Sequence, residues 1–169
     1  HRTVVYLDSP RAAATFQERR RYLVEQLRRE DRDVKIIRVP SDIEVESGRL
    51  AVARGWPEWQ RAGATAIVAA SDVQAYGALA ALSDLGVAVP GTVSVASFDN
   101  LPFSSITSPP LTSINLSAFD LGFEAATLLQ DMIERGERAR RSVQLPTELV
   151  IRQSTGPIRR AKRRTTNGV

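Results

Sequence analysis

Short runs rich in β-branched residues alternate with longer amphipathic segments along the first hundred residues. Four of these runs predict buried strands: Thr3–Leu7, Val34–Val39, Ala66–Ala70 and Val93–Phe98. The segments between them predict three helices: Ala12–Glu30, Val45–Arg54 and Val73–Leu85. Strands and helices in this order are typical of α/β proteins, so we expect an open parallel sheet with helices on both faces.

Three residues mark the expected helix boundaries. Pro57 has no backbone N–H to donate, so the second helix is expected to break near Gly55-Trp56-Pro57. Asp72 directly precedes a periodic apolar run, which favours helix capping over contact with a ligand. Gly86 follows the end of the third helix and is expected to terminate it.

The regular alternation of predicted strands and helices ends near residue 100. A turn-rich loop is expected between Pro102 and Pro110, followed by a short strand over Thr112–Asn115. Ala118–Arg135 predicts a long helix, and Ser142–Arg152 an extended stretch interrupted by Pro146.

Composition narrows the range of possible chemistry. The 169 residues include no cysteine and one histidine, His1, so cysteine zinc sites, disulfides and thiolate catalysis are excluded and a Ser-His-Asp triad is disfavoured. No glycine pattern typical of phosphate loops follows a strand, and we expect neither a cofactor nor a resident metal. The longest apolar runs are too short to span a bilayer, so we expect a cytoplasmic protein without membrane contact.

The positive charge of the chain is concentrated at its end. The formal net charge is +4, while the segment from Pro157 onward carries only basic residues among its charged ones. The rest of the chain is therefore close to neutral.

Polar side chains follow each predicted strand, where parallel sheets bind their ligands. They are Asp8 and Ser9, residues 41–44, Ser71 and Asp72, and Asp99 and Asn100. For Asp99, ligand contact is favoured over a turn role because the next helix is distant. The run Arg19-Arg20-Arg21 is either a solvated helix face or a source of one arginine that points into the crevice.

Several motifs in order resemble the effector-binding core of the LacI/GalR family of bacterial transcription regulators. The segments that carry the resemblance are Ala66–Leu82, Gly86–Asn100, Ser108–Asn115 and Leu145–Thr155, with weaker matches at His1–Leu7 and Glu46-Ser47-Gly48. In that family two periplasmic-binding-protein-like lobes close around an effector, and a helix-turn-helix headpiece binds DNA.

The resemblance implies a division of the chain. Residues 1–115 would form the second lobe, and residues 116–145 would be a helix and strand of a first lobe that is largely absent. Residues 146–155 would return to the second lobe. Residues 156–169 lie outside the resemblance, and we expect a disordered basic tail there.

The resemblance also implies five effector-binding residues: Asp99, Arg19, Thr15, Ser71 and Ile43. Asp99 would accept hydrogen bonds from the ligand. Arg19 aligns with an arginine that in the family precedes a Leu-Ala-Gly-Phe helix motif. In this chain Arg20–Leu23 stand in place of that motif. Ile43 stands where relatives often place an aromatic residue, and Ser71 where many have a longer asparagine.

Dimer contacts are implied at Tyr76, Ala80, Phe103, Ile106 and Thr107, for which ordinary packing is the alternative. The implied function is allosteric regulation of transcription, by repression or activation: a small molecule, most simply a sugar, binds between the lobes of a homodimer. Closure of the lobes then controls binding of operator DNA by a headpiece upstream of His1. The alternatives are a periplasmic solute-binding protein of the same fold, or an α/β enzyme with Asp72 or Asp99 as general base.

Overall fold

The structure is a computed structural model that describes residues 1–9, 14–30, 33–136 and 141–158. Its strands are β1 (Thr3–Asp8), β2 (Lys35–Pro40), β3 (Ala66–Ala69), β4 (Ser94–Asp99), β5 (Thr112–Asn115) and β6 (Glu148–Val150). Its α-helices are α1 (Ala14–Glu30), α2 (Val45–Arg61), α3 (Asp72–Asp84) and α4 (Ala118–Arg135), and a short 3-10 helix spans Pro102–Ser105. The predicted helix start at Ala12 and residues 159–169 of the predicted tail lie outside the described residues.

One six-stranded sheet organises the chain, in the order β2-β1-β3-β4-β5-β6. The first five strands are parallel, and β6 pairs antiparallel with β5. The predicted α/β fold with an open, mostly parallel sheet is therefore confirmed, apart from the reversed last strand.

Alternation along β1 separates two apolar layers, because neighbouring side chains of a strand point to opposite faces. Val5 and Leu7 are fully buried in the main core, which α2 and α3 cover. Val4 belongs to a smaller cluster on the other face, against which Leu27 of α1 packs. Helices thus lie on both faces, with most of the core on the α2 and α3 side.

The helix break predicted at Gly55-Trp56-Pro57 is wrong. Helix α2 runs through Pro57 to Arg61. Trp56 and Trp59 are buried in the main core, so packing offsets the roughly 3 kcal/mol that an internal proline costs. Pro57 itself is exposed, which leaves its ring on the solvent side of the helix.

Two glycines let α2 and α3 approach each other closely. A Cβ at Gly77 of α3 would lie 1.9 Å from the carbonyl oxygen of Val45. A Cβ at Gly48 of α2 would lie 2.3 Å from the carbonyl oxygen of Gln74. Both distances fall far inside van der Waals contact with backbone, so neither position accepts a larger residue unless the helices move apart.

We expect Gly77→Ala to lower the free energy of unfolding by about 3 kcal/mol, because the added methyl group must separate two packed helices. Urea unfolding followed by circular dichroism measures the change. Gly122→Ala in α4 is the matched control, since a Cβ added there would meet no atom of the described residues within 4 Å. Alanine at this position should stabilise the helix by up to about 1 kcal/mol. Equal stability of the two variants would contradict the close helix contact.

The later elements match their predictions closely. Strand β5 and helix α4 have the predicted bounds. No residue of α4 is buried, and its apolar side chains are largely open, with Phe119 84% and Ile133 72% exposed. Residues 156–158 of the predicted tail are among the described residues, and Gly156 exchanges two hydrogen bonds with the Ser94 hydroxyl.

Candidate functional site

The carboxyl ends of the parallel strands are joined to α1 by one arginine. Arg19 Nη1 lies 3.0 Å from Asp99 Oδ1, at the end of β4, and donates at 3.1 Å to the carbonyl oxygen of Ala70, after β3. The structure therefore brings together Arg19 and Asp99, two residues that the sequence resemblance singles out.

Aromatic rings hold the Arg19 guanidinium in place. Its central carbon lies 4.7 Å from the ring centre of Phe16 and 5.3 Å from that of Phe98. Both distances suit cation–π attraction, which is strongest where the cation is shielded from water. The Arg19 and Asp99 side chains remain 19% and 24% exposed, so an incoming molecule can reach the pair.

Asp99 has an unusual backbone and an unusual carboxyl group. Its φ of +106° lies in the region that favours glycine, and such strain is often found at binding sites. Burial raises the pKa of the Asp99 carboxyl above its ordinary value, and the neighbouring Arg19 opposes that rise. Arg19 therefore favours the ionised, hydrogen-bond-accepting form of Asp99.

We expect Arg19→Gln to raise the pKa of Asp99 further, because desolvation would then act without its main opposing charge. With a folded-state pKa above the unfolded value, ionisation favours unfolding, so stability falls as pH rises through that interval. Carboxyl titration by NMR measures the shift. Arg21→Gln is the control and should leave Asp99 unchanged, whereas equal pKa values in all three proteins would refute the coupling.

A second acidic residue lies at the same edge of the sheet, on β1, which β3 separates from β4. Asp8, at the end of β1, has a 6% exposed side chain, and its Oδ2 lies 2.8 Å from Arg20 Nη1 and 2.9 Å from Arg38 Nη2. Burial, together with the Asp8 charge, raises the pKa of Tyr6 to about 12. The Tyr6 hydroxyl is buried without a hydrogen-bond partner among the described residues.

The prediction that Asp72 caps α3 is wrong. Ser71 is the N-cap of α3, where its Oγ accepts from the Gln74 N–H at 3.4 Å, and Asp72 is the first helical residue. The Asp72 side chain turns inward instead and is fully buried. It accepts from four donors: the hydroxyls of Ser97, Ser104 and Ser113 and the backbone N–H of Leu101.

We expect Asp72→Asn to lower the free energy of unfolding by about 3 kcal/mol, because an amide N–H₂ would face donors that now share a charged acceptor. Thermal and urea unfolding measure the loss. Asp84→Asn, at a 69% exposed carboxylate, is the control and should change stability by less than about 0.5 kcal/mol. Equal effects would show that the buried network contributes nothing.

The other predicted effector-binding residues occupy different environments. Thr15 is exposed on α1, and Ile43 is 37% exposed after β2. Ser71 is 1% exposed, and its hydroxyl already caps α3. The structure thus leaves Thr15 and Ile43 accessible and Ser71 covered, and the effector role of all five residues stays a prediction.

Sequence reasoning missed two contacts at this edge. Arg38 pairs with Asp8, although β2 carries no motif that points to it. Arg152 donates at 2.7 Å to Asn100 Oδ1 and at 2.6 Å to the carbonyl oxygen of Leu111. Arg152 lies within a segment that carries the family resemblance, so its position in the sequence was the available signal.

The residues predicted to form a dimer contact lie around α3 and the 3-10 helix. Phe103 and Ile106 are 66% and 73% exposed, and Ala80 is also exposed. The Tyr76 hydroxyl lies 2.9 Å from Ser104 Oγ, and Thr107 is half-buried. Exposed apolar side chains are therefore present in this region, and their role as a dimer interface stays a prediction.

Neither a membrane span nor a metal cluster is found in the part of the chain that the structure describes. Within it, no helix is long and apolar enough to cross a membrane. The same residues include no group of three or more His, Asp or Glu side chains arranged to hold a metal ion.

Comparison with known protein families shows the family to which this chain belongs. Residues 1–155 match the family described as Periplasmic binding protein-like domain. The chain belongs to this family. Within it, the match is to the effector-binding core of LacI/GalR-type regulators, as the sequence motifs predict.

Individual relatives agree with this assignment. The HTH-type transcriptional repressor PurR of Pasteurella multocida is 40% identical over 90 residues, which are 53% of this chain and 27% of that protein. A LacI family transcriptional regulator of Enterococcus faecalis V583, solved with bound ribose, superposes with a TM-score of 0.83 at 28% identity. That superposition covers 94% of this chain and 56% of the solved one.

A third relative was solved as an assembly. The lac repressor dimer bound to operator and the anti-inducer ONPF matches with a TM-score of 0.80 and 26% identity, covering 92% of this chain and 53% of that one. The chain thus spans about half the length of these solved proteins, and its alignment with PurR covers about a quarter of that repressor.

Proposed function

We propose that this chain is the effector-sensing part of a cytoplasmic LacI-type transcriptional repressor and that it binds a sugar or a related small metabolite. The observation that carries the proposal is the Arg19–Asp99 pair at the carboxyl edge of a parallel sheet. Related chains are transcriptional regulators, one of them solved with ribose, which favours this function over transport or catalysis.

The pair has the chemistry that recognition of a sugar or purine requires. Asp99 accepts two hydroxyl or N–H donors, while Arg19 keeps it ionised and contributes donors of its own. Thr15 and Ile43 extend this surface along α1 and the loop after β2, and Ser71 directly follows Ala70, whose carbonyl oxygen accepts from Arg19.

The second half of the binding site would come from another lobe. In this proposal residues 1–115 and 146–155 form one lobe, and residues 116–145 belong to the other. The exposed apolar side chains of α4 support this division, since they need a covering surface that the described residues do not supply. An effector bound between the lobes would favour the closed form by its differential affinity for the two states.

Regulation would operate through a homodimer bound to operator DNA. The proposed dimer surface contains Tyr76, Ala80, Phe103, Ile106 and Thr107. Phe103 and Ile106 support it, because two exposed apolar side chains side by side are costly in water unless covered. Lobe closure at the effector site would then change the spacing of the two DNA-binding headpieces.

We expect Asp99→Asn, in the complete regulator, to weaken effector binding about tenfold or more, because a charge-assisted hydrogen bond is lost. Ribose and lactose, the sugars bound in two solved relatives, are the first probes, measured by isothermal titration calorimetry. Operator affinity without effector should stay unchanged in a DNA-binding assay.

Asp84→Asn is the matched control, since it neutralises an exposed carboxylate on α3 instead. Effector affinity unchanged in Asp99→Asn would refute the assigned site. Conversion of any probe into a product would refute the sensing function and favour an enzyme.

A further inference from the structure

A cavity on the outer side of α1 is lined almost entirely by arginines. It lies between that helix and the edge strand β2 and has a volume of about 740 Å³. Its lining residues are Arg20, Arg21, Val24, Glu25, Arg28, Arg29 and Arg38. Neither Arg19 nor Asp99 lines it, so it is distinct from that pair, although Arg20 and Arg38 also bind Asp8 at the carboxyl edge of the sheet.

The spacing of these residues explains how one helix supplies so much charge. Positions 20–21, 24–25 and 28–29 follow each other at intervals of four, so they lie on one side of α1. A stripe of this kind is usually a solvated helix face. Here it faces a sheet edge that adds a further arginine, Arg38, and so becomes one wall of a cavity.

Acidic residues neutralise only part of this charge. Glu25 pairs with Arg29 at 2.5 Å, and Asp8 binds both Arg20 and Arg38. Five arginines against these two carboxylates leave an excess of three positive charges. Arg21 stacks on the Tyr22 ring at 4.9 Å and Arg28 has no ion-pair partner among the described residues, so both can bind an incoming group.

Guanidinium groups gathered around one cavity repel each other unless an anion lies between them. Arginine binds phosphate and sulfate through two parallel hydrogen bonds, which gives it a fixed orientation towards such groups. Asp8 orients Arg20 and Arg38 in advance, because one carboxylate oxygen holds both side chains. The cavity therefore offers two oriented arginines, together with Arg21 and Arg28, to the same ligand.

Cavity shape distinguishes a small ligand from a nucleic-acid backbone. The volume is within the range of roughly 300–1,000 Å³ that small-molecule sites occupy. Its lining is confined to residues 20–29 of α1 and one residue of β2, whereas backbone tracking along DNA requires an extended surface. Val24 and the arginine stems add apolar contact that a phosphorylated metabolite could cover.

We propose that the cavity between α1 and β2 is a second ligand site, which binds a small, multiply charged anion carrying phosphate groups. Arg21 and Arg28 bind the anion directly, and Arg20 and Arg38 complete the site with Asp8 as their positioning partner. Because α1 also carries Arg19, binding there restrains the helix that supplies the effector-site arginine.

Inorganic pyrophosphate is the probe, titrated into the 169-residue chain at about 150 mM salt, where exposed charges are largely screened. We expect saturable one-to-one binding by calorimetry and a rise in melting temperature. Arg21→Ala/Arg28→Ala should weaken binding about tenfold or more. Arg54→Ala/Arg61→Ala removes the same charge from exposed positions of α2 and should bind as the parent does.

The remaining outcomes separate this site from its rivals. Arg19→Gln should retain pyrophosphate binding, and loss of binding in that variant would place the anion at the effector site instead. Circular dichroism verifies that each variant is folded. Equal weakening in both arginine pairs, binding that disappears at this salt concentration, or displacement of pyrophosphate by short duplex DNA at lower concentration would each overturn the proposal.

Discussion

The buried carboxylate of Asp72 is the interaction on which the binding edge depends. Its four donors come from β4, the turn after it, the 3-10 helix and β5, so one charge fixes the relative positions of four segments. Burying an ionised group is costly unless hydrogen bonds replace its hydration, and here each donor is placed to do so. Asp99, where the turn after β4 begins, lies in the sequence between two of these donors, Ser97 and Leu101.

The Arg19–Asp99 pair lies next to this hydrogen-bonded network, on its more exposed side. Ser113 accepts from the Asn100 N–H while donating to Asp72, and Arg152 binds the Asn100 side chain, so the residue beside Asp99 is held from two sides. Arg19, enclosed by Phe16 and Phe98, then meets a carboxylate whose position is already fixed. A preformed pair of this kind loses little conformational entropy when a ligand binds.

The sequence predicts the sheet and most helices because periodicity and strand length depend on local residue types. Helix α4 has its predicted bounds, while the predicted break at Pro57 is wrong because Trp56 and Trp59, on either side of the proline, bury α2 against the core. Local pattern also cannot show where a side chain turns, which is why it predicts a helix cap at Asp72. The pairing of Asp8 with Arg38 depends on the register between β1 and β2, a long-range property. Asp99 could be predicted as a site residue because the family motif and the end of the fourth strand fall at the same position.

The positive φ of Asp99 sets stability against function at a single residue. Glycine would adopt this backbone without strain, so the fold alone favours a residue with no side chain. A carboxylate at this position is therefore retained at a cost of about 1 kcal/mol in folding free energy. Selection for thermal stability alone would remove it, and stabilised variants of this chain obtained without a binding requirement would tend to lose their response to the ligand.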